Sequence, residues 1–121
     1  MKLSYKRRKQ VVGIFDQMIV HYGISKHTTE YPELIIIHDN NVDYMGSFED
    51  ETEEIVLNLA KCRTLKDAVS TMIHEYCHYM QPRKGGWYNR YFKTYKYEDH
   101  PYEVAADAMA VRDLHLFMPE K

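Results

Sequence analysis

His74, Glu75 and His78 stand in the run His74-Glu75-Tyr76-Cys77-His78, a His-Glu-x-x-His pattern. On a helix, residues four apart share a face with their side chains about 5–6 Å apart, a span that one tetrahedral metal ion bridges. Glu75, one position along, falls beside such an ion rather than among its ligands. There it can take a proton from metal-activated water and return it to a leaving amine. A match of this length arises by chance, so its setting matters. Thr64-Leu65-Lys66-Asp67 is a capping-box variant with Asp in place of Glu or Gln, which predicts a helix from about Leu65 to about Met80, ahead of Pro82. With His74 placed at 0°, His78 falls at about 40° and Glu75 at about 100° around the helix. Leu65, Ala68, Val69, Met72, Ile73, Tyr76 and Met80 form a broad apolar face nearly opposite. Two histidines that avoid the apolar face are poor candidates for core packing.

A catalytic zinc takes a third protein ligand and keeps one position for water. The residues after His78, Tyr79-Met80-Gln81-Pro82, do not continue the motif with a third histidine, so the ligand comes from elsewhere. His100 and Glu103 both lie near the start of a last helix expected from Pro101 to about Phe117. Glu103 is favoured, because Glu103, Asp107, Ala110, Leu114 and Phe117 share a face on which Ala106 and Ala110 permit close helix approach. Asp107, one turn on, can accept a hydrogen bond from the distal nitrogen of a zinc-bound histidine. Cys77 falls at about −60° from His74 and reads as a buried thiol, as does Cys62. A purely structural zinc usually takes four protein ligands, often thiolates, and fits this set less well.

With His74-Glu75-Tyr76-Cys77-His78 on one helix and Glu103-Val104-Ala105-Ala106-Asp107 on the next, the chain resembles the gluzincin metallopeptidases. It is similar in size to the small single-domain gluzincins and to the compact metallopeptidases that accompany repressors. The resemblance implies one catalytic Zn2+ held by His74, His78 and Glu103, Glu75 as general base and Asp107 behind the metal ligands. It also implies an edge strand that pairs with substrate, assigned to Ile55 to Ala60, with Asn58 gripping a peptide group. The expected activity is endopeptidase hydrolysis of a peptide or protein substrate. Donors to the developing oxyanion are left open among Tyr91, Tyr95, Tyr97, His100 and Arg112.

The elements that must position these groups are few. A chain of 121 residues fits one domain, so residues 1–121 are expected to form a single α+β, zincin-like unit. A first helix is predicted over about 4–22, with Val11, Val12, Phe15, Met18, Ile19 and Tyr22 inward and Lys6, Arg7, Arg8 and Lys9 on a solvated turn. Glu33 to His38 reads as a strand buried on both faces, Val42 to Phe48 as a weaker strand, and Ile55 to Ala60 as a third. A sheet of three or four strands is expected. The acidic run Glu49, Asp50, Glu51, Glu53 and Glu54 reads as a solvated hairpin tip.

Composition narrows the class. The chain is 45% hydrophobic and 28% charged, which suits a folded domain, and its net charge of −2 does not advertise a nucleic-acid or membrane partner. Two cysteines, no secretory leader and no apolar run near the roughly 20 residues of a membrane span point to a cytoplasmic monomer. The alternative is a zinc-stabilised nucleic-acid-binding or adaptor protein that uses residues 83–97. There Arg83, Lys84, Arg90, Lys93 and Lys96 interleave with Trp87, Tyr88, Tyr91, Phe92, Tyr95 and Tyr97. Of the 11 tyrosines, Tyr79, Tyr88, Tyr91, Tyr95 and Tyr97 are expected to rim the site.

Overall fold

The computed structural model describes residues 1–82 and 100–119. Among these, helix α1 (Tyr5–Tyr22) leads into strands β1 (Glu33–Ile37), β2 (Gly46–Glu49) and β3 (Glu54–Asn58), followed by helices α2 (Leu65–Met80) and α3 (Pro101–Phe117). This is the zincin-like α+β order that the motifs imply.

Each helix begins at a cap visible in the residues. The Ser4 hydroxyl accepts from the Arg7 amide, and the Thr64 hydroxyl accepts from the Asp67 amide at 3.2 Å. The Asp67 carboxylate turns back to the Arg63 amide at 2.9 Å, so the shorter acid satisfies one residue earlier than a full capping box would. His100 caps α3 through its ring, with Pro101 in the first turn.

The sheet order is β1-β3-β2, with β1 parallel to β3 and β2 antiparallel to it. Among the described residues the third strand is therefore central, and β2 is an edge. This corrects the expectation that Ile55 to Ala60 forms the edge. The Val42 to Phe48 strand is likewise shorter and later, starting at Gly46, because residues 42–45 belong to the loop that leads into it. Strand β1 is half-buried rather than covered on both faces, and it lies at the border of the three strands. Glu49, Asp50 and Glu51 are exposed at the turn between β2 and β3, as expected of a hairpin tip, but Glu53 is buried at 8% with φ 58° and Glu54 is half-buried at the start of β3.

Ile55 and Leu57 alternate toward the helices and meet Val69, Met72 and Ile73 of α2 with Val11, Ile14, Phe15 and Met18 of α1 in one apolar cluster. Ile14 takes the inward place expected for Val12, which is 39% exposed. Burying such side chains contributes roughly 1.5–3 kcal/mol each before conformational entropy is charged against it. The back of α2 is also tied by hydroxyls. Tyr76 donates to the Gly23 carbonyl, while Tyr79 donates to the Glu30 carbonyl at 2.6 Å and accepts from the Ser25 amide at 3.1 Å. Tyr79 is fully buried and therefore does not rim the cleft. Gly23 ends α1 with φ 74°, a conformation that favours glycine. Helix α3 packs along α2 more extensively than any other pair of described elements meet, across Ala106 and Ala110. No described helix is long and apolar enough to cross a membrane.

Candidate metal centre

Helix α2 presents His74 and His78 half-buried toward α3, which brings Glu103 to them from its first turn, 4% exposed. His74 Nε2 lies 3.1 Å from His78 Nε2 and 3.1 Å from Glu103 Oε1, and His78 Nε2 lies 2.8 Å from Glu103 Oε2. One donor atom from each residue falls within 4.8 Å of the others. Tetrahedral zinc with bonds of about 2.0–2.1 Å holds its ligand atoms about 3.3 Å apart, so the three donors need to open only slightly to accept the ion. The residues fit zinc on chemistry as well. Two imidazoles and one carboxylate are a set found in catalytic zinc sites, and they leave a fourth position. His100 is not the third ligand; it is fully buried and caps α3, with Nδ1 accepting from the Tyr102 amide at 3.1 Å.

The distal nitrogens are held from outside. His74 Nδ1 meets Asp107 Oδ1 at 2.9 Å, with the Asp107 side chain 70% exposed at the rim. His78 Nδ1 meets Gln81 Oε1 at 2.8 Å. Gln81 was not among the expected site residues, although it stands only three residues after His78, as the cap that ends α2. In both imidazoles a proton on Nδ1 satisfies the outer contact, so the Nε2 that donates to Glu103 in the metal-free site is the atom whose lone pair would serve a metal.

The electrostatics of the site without metal follow from the same contacts. Burial pulls the Glu103 carboxyl upward, but hydrogen bonds from His74 and His78 outweigh it and hold the group well below the usual carboxylate range. Burial lowers both histidines, yet the contact with Glu103 and the nearby carboxylates raise them overall. Glu75 moves in the opposite direction to Glu103. Burial raises its carboxyl above the ordinary value, against the opposing pull of His74 and His78. The buried Glu75 thus holds a proton more readily than a solvated glutamate does.

His74, Glu75 and Asp107 line a cleft of about 420 Å³ whose other walls are Met45 of the loop before β2, Gly46 at the start of β2, Ser70 and Thr71 of α2, and Ala110 and Val111 of α3. Gly46 permits this meeting of strand and helix. A Cβ there would lie 2.5 Å from Thr71 Cγ2, 2.9 Å from the Val56 carbonyl oxygen and 3.4 Å from Glu75 Cγ.

Asn58 does not face the cleft. It is fully buried, and its amide donates to the carbonyls of Asp39 at 2.9 Å and Tyr44 at 3.2 Å while accepting from the amides of Asp39 and Ala60. It organises the loop over residues 39–44, where polar backbone groups under cover need partners. The expected oxyanion donors fare differently. Arg112 pairs through both Nε and a terminal nitrogen with Asp113, which also accepts from the Tyr22 hydroxyl, and Arg112 is not among the cleft walls. Tyr91, Tyr95 and Tyr97, with the rest of the basic aromatic segment 83–97, lie outside the described residues.

His74, Glu75, His78 and the distal Glu103 form a zinc-binding triad with its adjacent glutamate in the gluzincin active-site pattern, as a catalytic metallopeptidase site requires. No protein-family model, curated protein or solved structure matches the chain.

Proposed function

We propose that the protein is a zinc-dependent endopeptidase, with residues 1–121 forming one metallopeptidase domain and Glu75 as its general base. The observation that carries this reading is the convergence of His74, His78 and Glu103 from two helices onto one point beside a buried glutamate and an open cleft. Zinc held by these three residues supplies Lewis acidity toward a carbonyl and makes water acidic enough to lose a proton near neutral pH.

The chain's own groups then divide the work. Glu75 takes the proton from the attacking water and passes it to the departing nitrogen, and its raised proton affinity suits both transfers. Asp107 holds His74 in the Nδ1-protonated form. The substrate backbone lies extended along β2, which pairs with β3 on one side and borders the cleft at Gly46. Developing negative charge on the carbonyl oxygen takes a hydrogen bond from a donor outside the groups already engaged in the fold. The protein acts on peptide or protein substrates as a monomer. An intracellular, reducing setting accords with Cys62 and Cys77, both buried and unpaired.

The test is digestion of a diverse peptide library by the zinc-loaded protein, with new termini read by mass spectrometry. Glu75→Gln is expected to keep its zinc and to lose about 10²- to 10⁴-fold in rate. Equal cleavage by the variant overturns the general-base role, and zinc uptake without cleavage of any peptide overturns the endopeptidase reading.

A further inference from the structure

Gln81 lies just beyond α2 and touches three groups. Its Oε1 meets His78 Nδ1 at 2.8 Å, its Nε2 donates to the Tyr102 carbonyl at 3.0 Å, and the same Nε2 reaches the Cys77 sulfur at 3.6 Å. A backbone carbonyl only accepts, so Tyr102 decides which end of the amide faces it. The Gln81 NH2 must point to Tyr102, and Oε1 is left facing His78. An amide oxygen only accepts in turn, so His78 Nδ1 must carry a proton and Nε2 presents its lone pair to the metal. Tyr102 immediately precedes Glu103, so the same side chain also tethers the backbone next to the carboxylate ligand.

We infer that Gln81 is the positioning residue for His78: it sets the imidazole tautomer from outside the metal and locks the end of α2 to the backbone beside Glu103. Residue 81 lies outside both the His74–His78 and the Glu103–Asp107 runs. The role rests on the reading of His74, His78 and Glu103 as the metal site, and its effect is on metal affinity before it is on any substrate. Asp107 performs the matching task for His74 from a side chain that is 70% exposed. Gln81 does so from a half-buried position with both ends of its amide engaged, which makes it the stiffer of the two supports.

Two variants separate the parts. Gln81→Met keeps the length and removes both polar ends, whereas Gln81→Glu keeps an acceptor for His78 and loses the donor to Tyr102. Zinc affinity is measured by chelator competition, and the slowly exchanging His78 Nδ1–H is followed by nitrogen-resolved NMR in the metal-free and zinc-loaded proteins. Gln81→Met is expected to bind zinc about 10- to 100-fold more weakly and to lose the Nδ1–H signal. Gln81→Glu is expected to keep the signal and recover most of the affinity. Unchanged affinity in Gln81→Met, or an equal loss of affinity in both variants, overturns the inference, the second because it would assign the effect to the Tyr102 tether alone. If Gln81→Met does not fold, Gln81→Glu decides by keeping or losing the signal. Failure of the wild-type chain to take up zinc would instead overturn the metal reading, and the Nδ1–H of the metal-free protein would still judge Gln81.

Discussion

Gly46 and Glu75 approach so closely that a Cβ on the glycine would stand 3.4 Å from Glu75 Cγ, with Thr71 Cγ2 nearer still at 2.5 Å. The edge strand thus passes beside the proposed general base, and Thr71 with the Val56 carbonyl leaves no room for a side chain at residue 46. Gly46→Ala is expected to cost about 1–3 kcal/mol of stability through overpacking, and to lower peptidase rate as β2 or Glu75 moves. Adding Thr71→Ser removes the nearest obstructing methyl and should restore part of the loss. The Val56 carbonyl oxygen, 2.9 Å from where that Cβ would stand, is backbone and cannot yield as easily. Thermal melts of the single and double variants check this, and no rescue by Thr71→Ser would count against the steric account.

Asp107 and Glu103 sit one turn apart on α3 and should separate cleanly by zinc affinity. Glu103→Ala removes a ligand and is expected to abolish stoichiometric zinc uptake. Asp107→Ala removes only the partner of His74 Nδ1, and its exposure places the expected loss near the lower end of the usual range, about 10-fold. Zinc competition with a chromophoric chelator reads both. Zinc should also raise the melting temperature of the wild type and not that of Glu103→Ala, because a ligand bound only to the native state stabilises it.

Acid should weaken the link between α1 and α3. Hydrogen bonding from Arg112, then from Tyr22, holds the Asp113 carboxyl at about 2 despite its burial, below the ordinary value of 3.8. A depressed carboxylate contributes stability that is complete above its unfolded value and is lost as pH falls from about 4 toward about 2. With the Arg112 side chain 70% exposed, solvent screening keeps the contribution small. Asp113→Asn should therefore be less stable than wild type at pH 7 in urea, with the gap closing near pH 2. A gap that persists in acid would show that packing, not charge, is responsible.

Much of the site was legible because its information is local. The His74 to His78 spacing, the Thr64 cap and Pro82 locate α2, and Pro101 with the Glu103–Asp107 face locates α3. The order of strands was not, since parallel pairing of β1 with β3 joins segments far apart in the chain and moves Ile55 to Asn58 from edge to centre. Asn58 misled for a related reason. An amide in a strand reads equally as a substrate contact or as a partner for a covering loop, and only residues 39–44 in place decide it. For Gln81 the spacing was visible, but the chemistry was not. Its meaning depends on the Tyr102 carbonyl across the helix pair.

Removing one oxygen from the core tests the anchoring of α2. Tyr79→Phe strands the buried Ser25 amide and the Glu30 carbonyl, at an expected cost of about 1–3 kcal/mol. Urea melts give the cost directly. A change near zero would mean that water replaces the hydroxyl.

The two tyrosine hydroxyls behind α2 fix its azimuth. A helix packed only by apolar side chains is free to roll a few degrees at little expense, and functional tips about 6 Å from its axis sweep about 1 Å for each ~10° of roll. Misplacement on that scale can cost a reaction about two orders of magnitude. Tyr76 and Tyr79, pinned to Gly23, Ser25 and Glu30, act as set screws on the side of the shaft away from the cleft. The segment after α1, remote from any chemistry, is thereby the part of the chain that aims the histidines.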